Sequence, residues 1–325
     1  MGDHARRAEA MGFGFLWSAE TKHDPFLPLA VAAGATERIG LGTAIAVAFP
    51  RSPMILAHTA WDLQKASGGR FSLGLGTQVK AHNERRFSIK WEPPGPRLRE
   101  VILALRAIWT SWQDRTPLRF EGRSYHFDLM TPFFDPGPIE HPWIPIFIAA
   151  VNPYMARLAG ELCDGLHVHS FHSAKYLREY LHPAIEEGLR ASGRRRADFV
   201  VRAATMTALG DSDEELDRAR QAARQQIAFY ASTRTYQAVL AAHGLDGLSP
   251  RLHGLSLKGD WQGMADLIDD DVLELFCVSG RLDTIGRQIR ERYAGLYDRT
   301  QLYPSFAPSL DDPRWAGLIA DLRSA

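Results

Sequence analysis

Short apolar runs alternate with helix-period stretches along almost the whole chain, and this alternation predicts β-α units laid on a parallel sheet. Strands are expected at 15–18, 39–47, 71–75, 146–148, 165–168, 199–208 and 299–303. Between them apolar residues fall three and four apart, as one buried helix face requires: Leu98, Val101, Ile102, Leu105 and Trp109 form one stripe, Met155, Leu158, Ala159 and Leu162 another. The chain opens on a helix over 3–11, stopped by Gly12. Two stretches break the rhythm. Segment 91–143 is rich in proline and aromatics and is expected to hold an antiparallel ribbon around Phe120 and Phe127, at the mouth of a barrel. Segment 212–271 begins with Ser212 and Glu215 at the spacing of a capping box, carries no strand signal from Ile227 onward, and reads as a helical insertion over the active face.

The pattern predicts an α/β fold in a single domain over 1–325 with those two insertions; the architecture to test against it is the (β/α)8 TIM-type barrel. A closed barrel of this type needs eight strands, and the pattern supplies one fewer. The first strand is therefore expected to be missing from this chain, which would leave an open sheet edge between the strands at 15–18 and 299–303.

Composition narrows the function. Lys+Arg 38 balances Asp+Glu 38 for a formal net charge of +0. Such a chain lacks the single-sign field that binding nucleic acid or a membrane surface calls for, so a small-molecule partner is expected. The only cysteines, Cys163 and Cys277, are too few for a disulfide scaffold or a four-cysteine metal site and fit a reducing cytoplasm. The charged N-terminus does not read as a signal peptide, and no apolar run approaches the roughly 18 residues of a membrane span.

The densest polar cluster is HVHSFH, 167–172. On a strand His167 and His169 share a face, an arrangement with which metal-dependent hydrolases often begin a site. No histidine or aspartate at another strand end has comparable ligand character, and no metal is expected. The run GLGLGT lacks the spacing of a dinucleotide fingerprint, which disfavours a Rossmann dehydrogenase.

The stretch LGTAIAVAFPRSP, a helix containing Leu56, Ala60 and Leu63, and then SGGRFSLGLG together resemble the bacterial luciferase-like superfamily. GFGFLWSAE before them, IPIFIAAVNPYMARLAGELCDGLHVHS after them and VSGRLDTIGRQI near the end follow in the family's order. Within the superfamily the chain looks most like the oxidoreductases that use the deazaflavin coenzyme F420. The resemblance implies a barrel with a flavin or deazaflavin across its C-terminal face, and commonly a homodimer.

It also implies roles. After the first expected strand the family often places an acidic residue followed by a histidine; here the residues are Glu20 and Thr21, with His23 two further on, so proton work is assigned to Glu20, Thr21 and His23. Over Ala44–Val47 the resemblance implies a backbone kink beneath the flat ring, often with a non-prolyl cis peptide, and Ala46 and Val47 as cofactor contacts. Where a subgroup carries a glutamate after the last glycine of LGLG, this chain has Val79, leaving Gln78 and His82 as the polar contacts. For the cofactor phosphate the matching positions are His169, Ser170 and His172, joined by backbone amides at Ala150, Val151 and Asn152. Hydride transfer between coenzyme F420 and a small organic substrate is the leading expectation. The alternatives are an FMN-dependent monooxygenase using reduced flavin and oxygen, and a non-catalytic flavin-binding barrel.

Overall fold

The computed structural model describes residues 1–304 and 309–323, which fall into two compact units. The first comprises Met1–Ala149, Arg157–Leu166 and Glu187–Phe199; the second comprises Ala150–Ala156, His167–Glu186 and Val200–Ala325.

The first unit opens on helix α1 (Gly2–Ala10), which ends where Gly12 turns at φ 86°. Strand β1 (Phe15–Ser18), helix α2 (Leu27–Ala35), strands β2 (Gly40–Thr43) and β3 (Ala46–Val47), helix α3 (Pro53–Ala66) and strand β4 (Phe71–Gly76) follow. The expected strand over 39–47 is thus two strands. The Ala44–Ile45 peptide between them is cis, and the chain there bonds sideways: Ala44 N–H donates to Ser18 O at 2.8 Å and Ile45 O accepts from Glu20 N–H at 3.0 Å. Beyond the break β3 pairs with the far end of β4, Ala46 opposite Leu75 and Val47 opposite Gly76.

Glycine alternation in β2 has a packing cause. Phe15 and Trp17 stack at 5.0 Å on one face of β1, and a Cβ at Gly40 or Gly42 of the neighbouring strand would lie 2.4 or 2.3 Å from those rings. Thr43, fully buried, ties β2 to β4 through its hydroxyl, which donates to Gly74 O at 2.7 Å and accepts from Gly74 N–H at 2.9 Å. Among the described residues β1 is the edge of the parallel order β1–β2–β4, the place where the sequence predicts an open edge.

After helix α4 (Lys80–Arg85) comes the long helix α5 (Pro94–Asp114), whose predicted stripe is buried and packs on α3. Each fully buried Leu or Ile of that stripe contributes about 1.5–3 kcal/mol. The expected ribbon is a short hairpin, β5 (Phe120–Glu121) antiparallel to β6 (His126–Phe127). Glu100 of α5 holds its turn by accepting from the N–H groups of Arg123 and Ser124. Strand β7 (Ile146–Ala150) joins β4 in parallel, and helix α6 (Pro153–Leu162) and strand β8 (Gly165–Val168) continue the alternation.

Past β8, α7 (Ala174–Tyr176) runs through a π-type turn into α8 (His182–Ala191). The second unit is built on β9 (Val200–Leu209). Helix α9 (Asp213–Ala231) carries the predicted capping box, with Glu215 N–H donating to Ser212 Oγ while the Glu215 carboxylate accepts from Asp211 N–H. Helices α10 (Gln237–Ala241), α11 (Leu248–Lys258), α12 (Trp261–Asp266) and α13 (Asp270–Phe276) follow with no strand among them, as expected for this segment. Strand β10 (Val278–Gly280) pairs with the last residues of β9 and was not anticipated, three residues being too short for a periodic signal. Helix α14 (Ile285–Tyr293), strand β11 (Arg299–Pro304), parallel to β9, and helix α15 (Arg314–Arg323) complete the described chain.

Candidate functional site

The loop after β1 carries the residues assigned to proton work, and its acid is committed to structure. The Glu20 carboxylate accepts from Val47 N–H and from Arg51 Nη1, both at 2.7 Å. Arg51 also donates to Val47 O at 3.1 Å and to Asp24 at 3.1 Å, and Asp24 in turn accepts from the N–H groups of Phe26 and Leu27. With side-chain exposures of 7% for Glu20 and 19% for Arg51, this is an ion pair mostly withdrawn from water. It clamps the two-residue strand β3 from both its N–H and C=O sides. Thr21 and His23 are exposed and lie outside this set of bonds; the Thr21 carbonyl accepts from Arg86.

Ala46 and Val47 are wholly buried in the clamped strand. Gly76 is needed beside them, because a Cβ there would come within 2.6 Å of the Ile45 side chain. Gln78 adopts φ 56°, with its Oε1 accepting from Val79 N–H at 3.0 Å, while His82 is exposed on α4. Sequence reasoning missed Asn83. It is 1% exposed, and its amide donates to Thr77 O and Val79 O, which fixes the turn leaving β4. An amide inside a charged helical run gives no periodic signal.

In the second unit, His169 accepts Phe171 N–H on Nδ1 at 3.1 Å, which leaves its proton on Nε2, 3.3 Å from the Tyr236 hydroxyl. Its ring stacks on Tyr236 at 4.7 Å and meets the edge of Tyr230 at 4.8 Å. His172 faces the His169 carbonyl with Nδ1 at 2.7 Å, so Nδ1 is the donor and Nε2, buried without a partner among the described residues, is an acceptor. Burial pushes both imidazoles down to about 4; for His169 the neighbouring His172 adds to the effect. Both rings are neutral at pH 7, and neither displays a free N–H. Ser170 is buried, Asn152 caps α6 by accepting Met155 N–H at 3.0 Å, and Ala150 O accepts His169 N–H at 3.4 Å. Ser173 caps α7 and is 2.8 Å from His243 Nε2.

Tyr230 and Tyr236 were also missed. Their only sequence signal is two tyrosines six residues apart in a helical stretch without strand pattern. Among the described residues no group of three or more His, Cys, Asp or Glu side chains is arranged to hold a metal. Both cysteines are buried, and burial pushes the Cys277 thiol up to about 11. No helix of the described residues is long and apolar enough to cross a membrane.

Comparison with known proteins gives one consistent picture. A family model described as luciferase-like monooxygenase matches residues 1–300. An uncharacterized protein of Mycobacterium tuberculosis is 50% identical over 297 residues, covering 91% of this chain and 87% of the relative. The 5,10-methylenetetrahydromethanopterin reductase of Archaeoglobus fulgidus is 30% identical over 296 residues, 89% of this chain and 84% of the relative. Among solved structures, a coenzyme F420 dependent tetrahydromethanopterin reductase from Methanopyrus kandleri matches with a TM-score of 0.78 at 26% identity, covering 98% of this chain and 92% of that one. The α/β fold class expected from sequence is the one this likeness carries.

Proposed function

Because the chain belongs to the luciferase-like monooxygenase family, we propose that it is an oxidoreductase that moves a hydride between coenzyme F420 and a small organic substrate. The observation that carries this reading is the likeness to an F420-dependent reductase along nearly the whole chain, 98% covered. When bound, the deazaflavin would supply the carbon that gives or takes the hydride, and the protein's share is orientation and electrostatics.

That share divides between two loci. In the first unit, Ala46 and Val47 would back the flat ring, with Gln78 and His82 as the polar contacts beyond β4. Glu20 acts there as a positioning residue, since its carboxylate is committed to Val47 and Arg51. Thr21 and His23 remain to handle a proton at the substrate, and His23 is the better suited because an imidazole carries both a donor and an acceptor nitrogen. In the second unit the neutral, internally bonded imidazoles fit a phosphate poorly as donors. The donor set that suits it is the Ser170 hydroxyl with backbone amides at Val151 and Asn152 following Ala150, while His169 and His172 hold the turn. The expected homodimer belongs to the same reading.

The family model's description favours a second reading, an FMN-dependent monooxygenase consuming oxygen. One experiment separates the readings: titration of the purified protein with coenzyme F420 and with FMN, followed by fluorescence quenching. Saturable quenching by the deazaflavin alone is the expected result. A preference for FMN with oxygen consumption would transfer the chain to the monooxygenases, and binding of neither would leave a non-catalytic barrel.

A further inference from the structure

Arginines of the first unit show what a structural guanidinium looks like. Arg70 donates to Ser67 O, Ile39 O, Ala33 O and both oxygens of Thr36. Arg106 divides its donors between Ile144 O and Asp164, Arg99 pairs with Glu161, and Arg51 meets two carboxylates, Glu20 and Asp24, in the clamp on β3. Arg97, in the first turn of α5, is different. Its Nε donates to the Tyr125 hydroxyl at 3.2 Å and its Nη1 to Lys90 O at 3.4 Å, and among the described residues it meets no carboxylate. A guanidinium carries five N–H donors. Three are left, all at the Nη end.

The seat of this guanidinium is aromatic. Its Cζ lies 4.7 Å from the centroid of Phe49, a ring 4% exposed, and 5.8 Å from that of Tyr125. Ring faces hold a cation while making no demand on its N–H groups, so the fork is fixed in place with its donors unspent. Phe49 stands two residues beyond β3, which places Arg97 beside the strand proposed to back the cofactor ring. No acidic residue lies in the first turn of α5 to compensate the charge, and Glu100, a turn further on, is committed to the hairpin N–H groups.

We infer that Arg97 is the recognition group for an oxyanion, a carboxylate or phosphate of a small ligand, gripped by the free edge of its guanidinium. The anion contact follows from the geometry of Arg97; its assignment to a substrate or cofactor of an oxidoreductase rests on the proposed function. A planar fork with parallel N–H groups matches the two oxygens of either anion, which a lysine at this place would meet only as a point charge.

The test compares the full chain with Arg97→Gln, Arg97→Lys and, as a control for surface charge, Arg123→Gln, by calorimetric titration with inorganic phosphate and with succinate at low ionic strength. Removing charge-assisted hydrogen bonds is expected to weaken binding of these anions about 10- to 100-fold in Arg97→Gln, with partial retention in Arg97→Lys and no change in Arg123→Gln. Circular dichroism and thermal melting establish that each variant is folded. Deazaflavin quenching then identifies the source of the anion. Unchanged cofactor affinity in Arg97→Gln assigns it to the substrate, whereas parallel weakening, with phosphate competing against the cofactor, assigns it to the cofactor. If the folded Arg97→Gln variant binds both anions as the unaltered chain does, or if the unaltered chain binds neither, the inference is overturned. A protein that takes no deazaflavin or flavin but loses anion binding on Arg97→Gln would refute the proposed function and leave the oxyanion site standing.

Discussion

The clamp around Glu20 and the ring cluster around His169 solve the same problem with opposite electrostatics. In the first unit a short strand is held by an ion pair, Glu20 to Arg51, reinforced by backbone donors and by Asp24. In the second a turn is held by two neutral imidazoles, three of whose four nitrogens are spent on backbone groups and a tyrosine hydroxyl. Removing a partner from the clamp strands a charge that has little access to water. Adding a proton to the cluster creates a charge where no carboxylate bonds either ring. One region fails when a charge is left alone, the other when a charge appears.

Acid should therefore break the second region first, and this is the largest effect expected. His169 and His172 bind a proton at about 4 in the folded chain and near 6.5 when unfolded, so their contribution is complete above pH 6.5 and is lost as pH falls toward 4. At pH 5 each costs about 2 kcal/mol relative to pH 7.5. Urea titrations across that range should show the fall, and His172→Gln should remove about half of it. A flat profile between pH 7 and 5 would mean that the imidazoles are not buried as described.

Glu20→Ala sharpens the comparison from the other side. It leaves Arg51 without its nearest carboxylate and Val47 N–H without an acceptor, and the expected loss is about 3 kcal/mol. Glu20→Gln keeps an acceptor for Val47 and should lose roughly half as much. Both are read by chemical denaturation, with deazaflavin quenching as the second readout: if the clamp positions β3 for a ring, affinity falls in Glu20→Ala more than in Glu20→Gln. Equal stability of Glu20→Ala and the unaltered chain would dismiss the clamp.

What sequence revealed and what it hid follow from the range of the interactions. Strands such as β4 and β9 were legible because an apolar run between turn residues needs only local pattern, and so was the capping box, whose members lie three residues apart. The resemblance placed a kink within Ala44–Val47, where the structure has it at Ala44–Ile45, but periodicity alone ran one strand through it, since nothing in the spacing of apolar residues records a break in pairing. The roles within the loci were hidden for a different reason. Glu20 meets Arg51 across 31 residues and His169 meets Tyr236 across 67, and no local signal foretells such pairs. Histidines in HVHSFH advertise donors, yet whether a ring nitrogen is free depends on backbone groups that only the folded turn brings to it.

The smallest effect expected tests which part of a tyrosine holds the second region. Tyr236 reaches His169 with its hydroxyl at 3.3 Å, a long bond, while its ring lies nearly parallel to the imidazole at 4.7 Å and 25°. A neutral hydrogen bond of ordinary geometry contributes about 1 kcal/mol, and one this long should contribute less, whereas the stack persists in phenylalanine. Tyr236→Phe is therefore expected to lower stability by under about 1 kcal/mol and to leave the acid profile in place, because burial of His169, the main cause of its low proton affinity, is unchanged. Tyr236→Ala opens the ring cluster and should cost several times more, about 3 kcal/mol or above, with the acid profile moving toward that of an exposed imidazole. Were Tyr236→Phe to cost as much as Tyr236→Ala, the hydroxyl rather than the ring would be holding His169. The cluster would then resemble the clamp, ordered by specific polar bonds, and the contrast between the two regions would reduce to the presence or absence of charge.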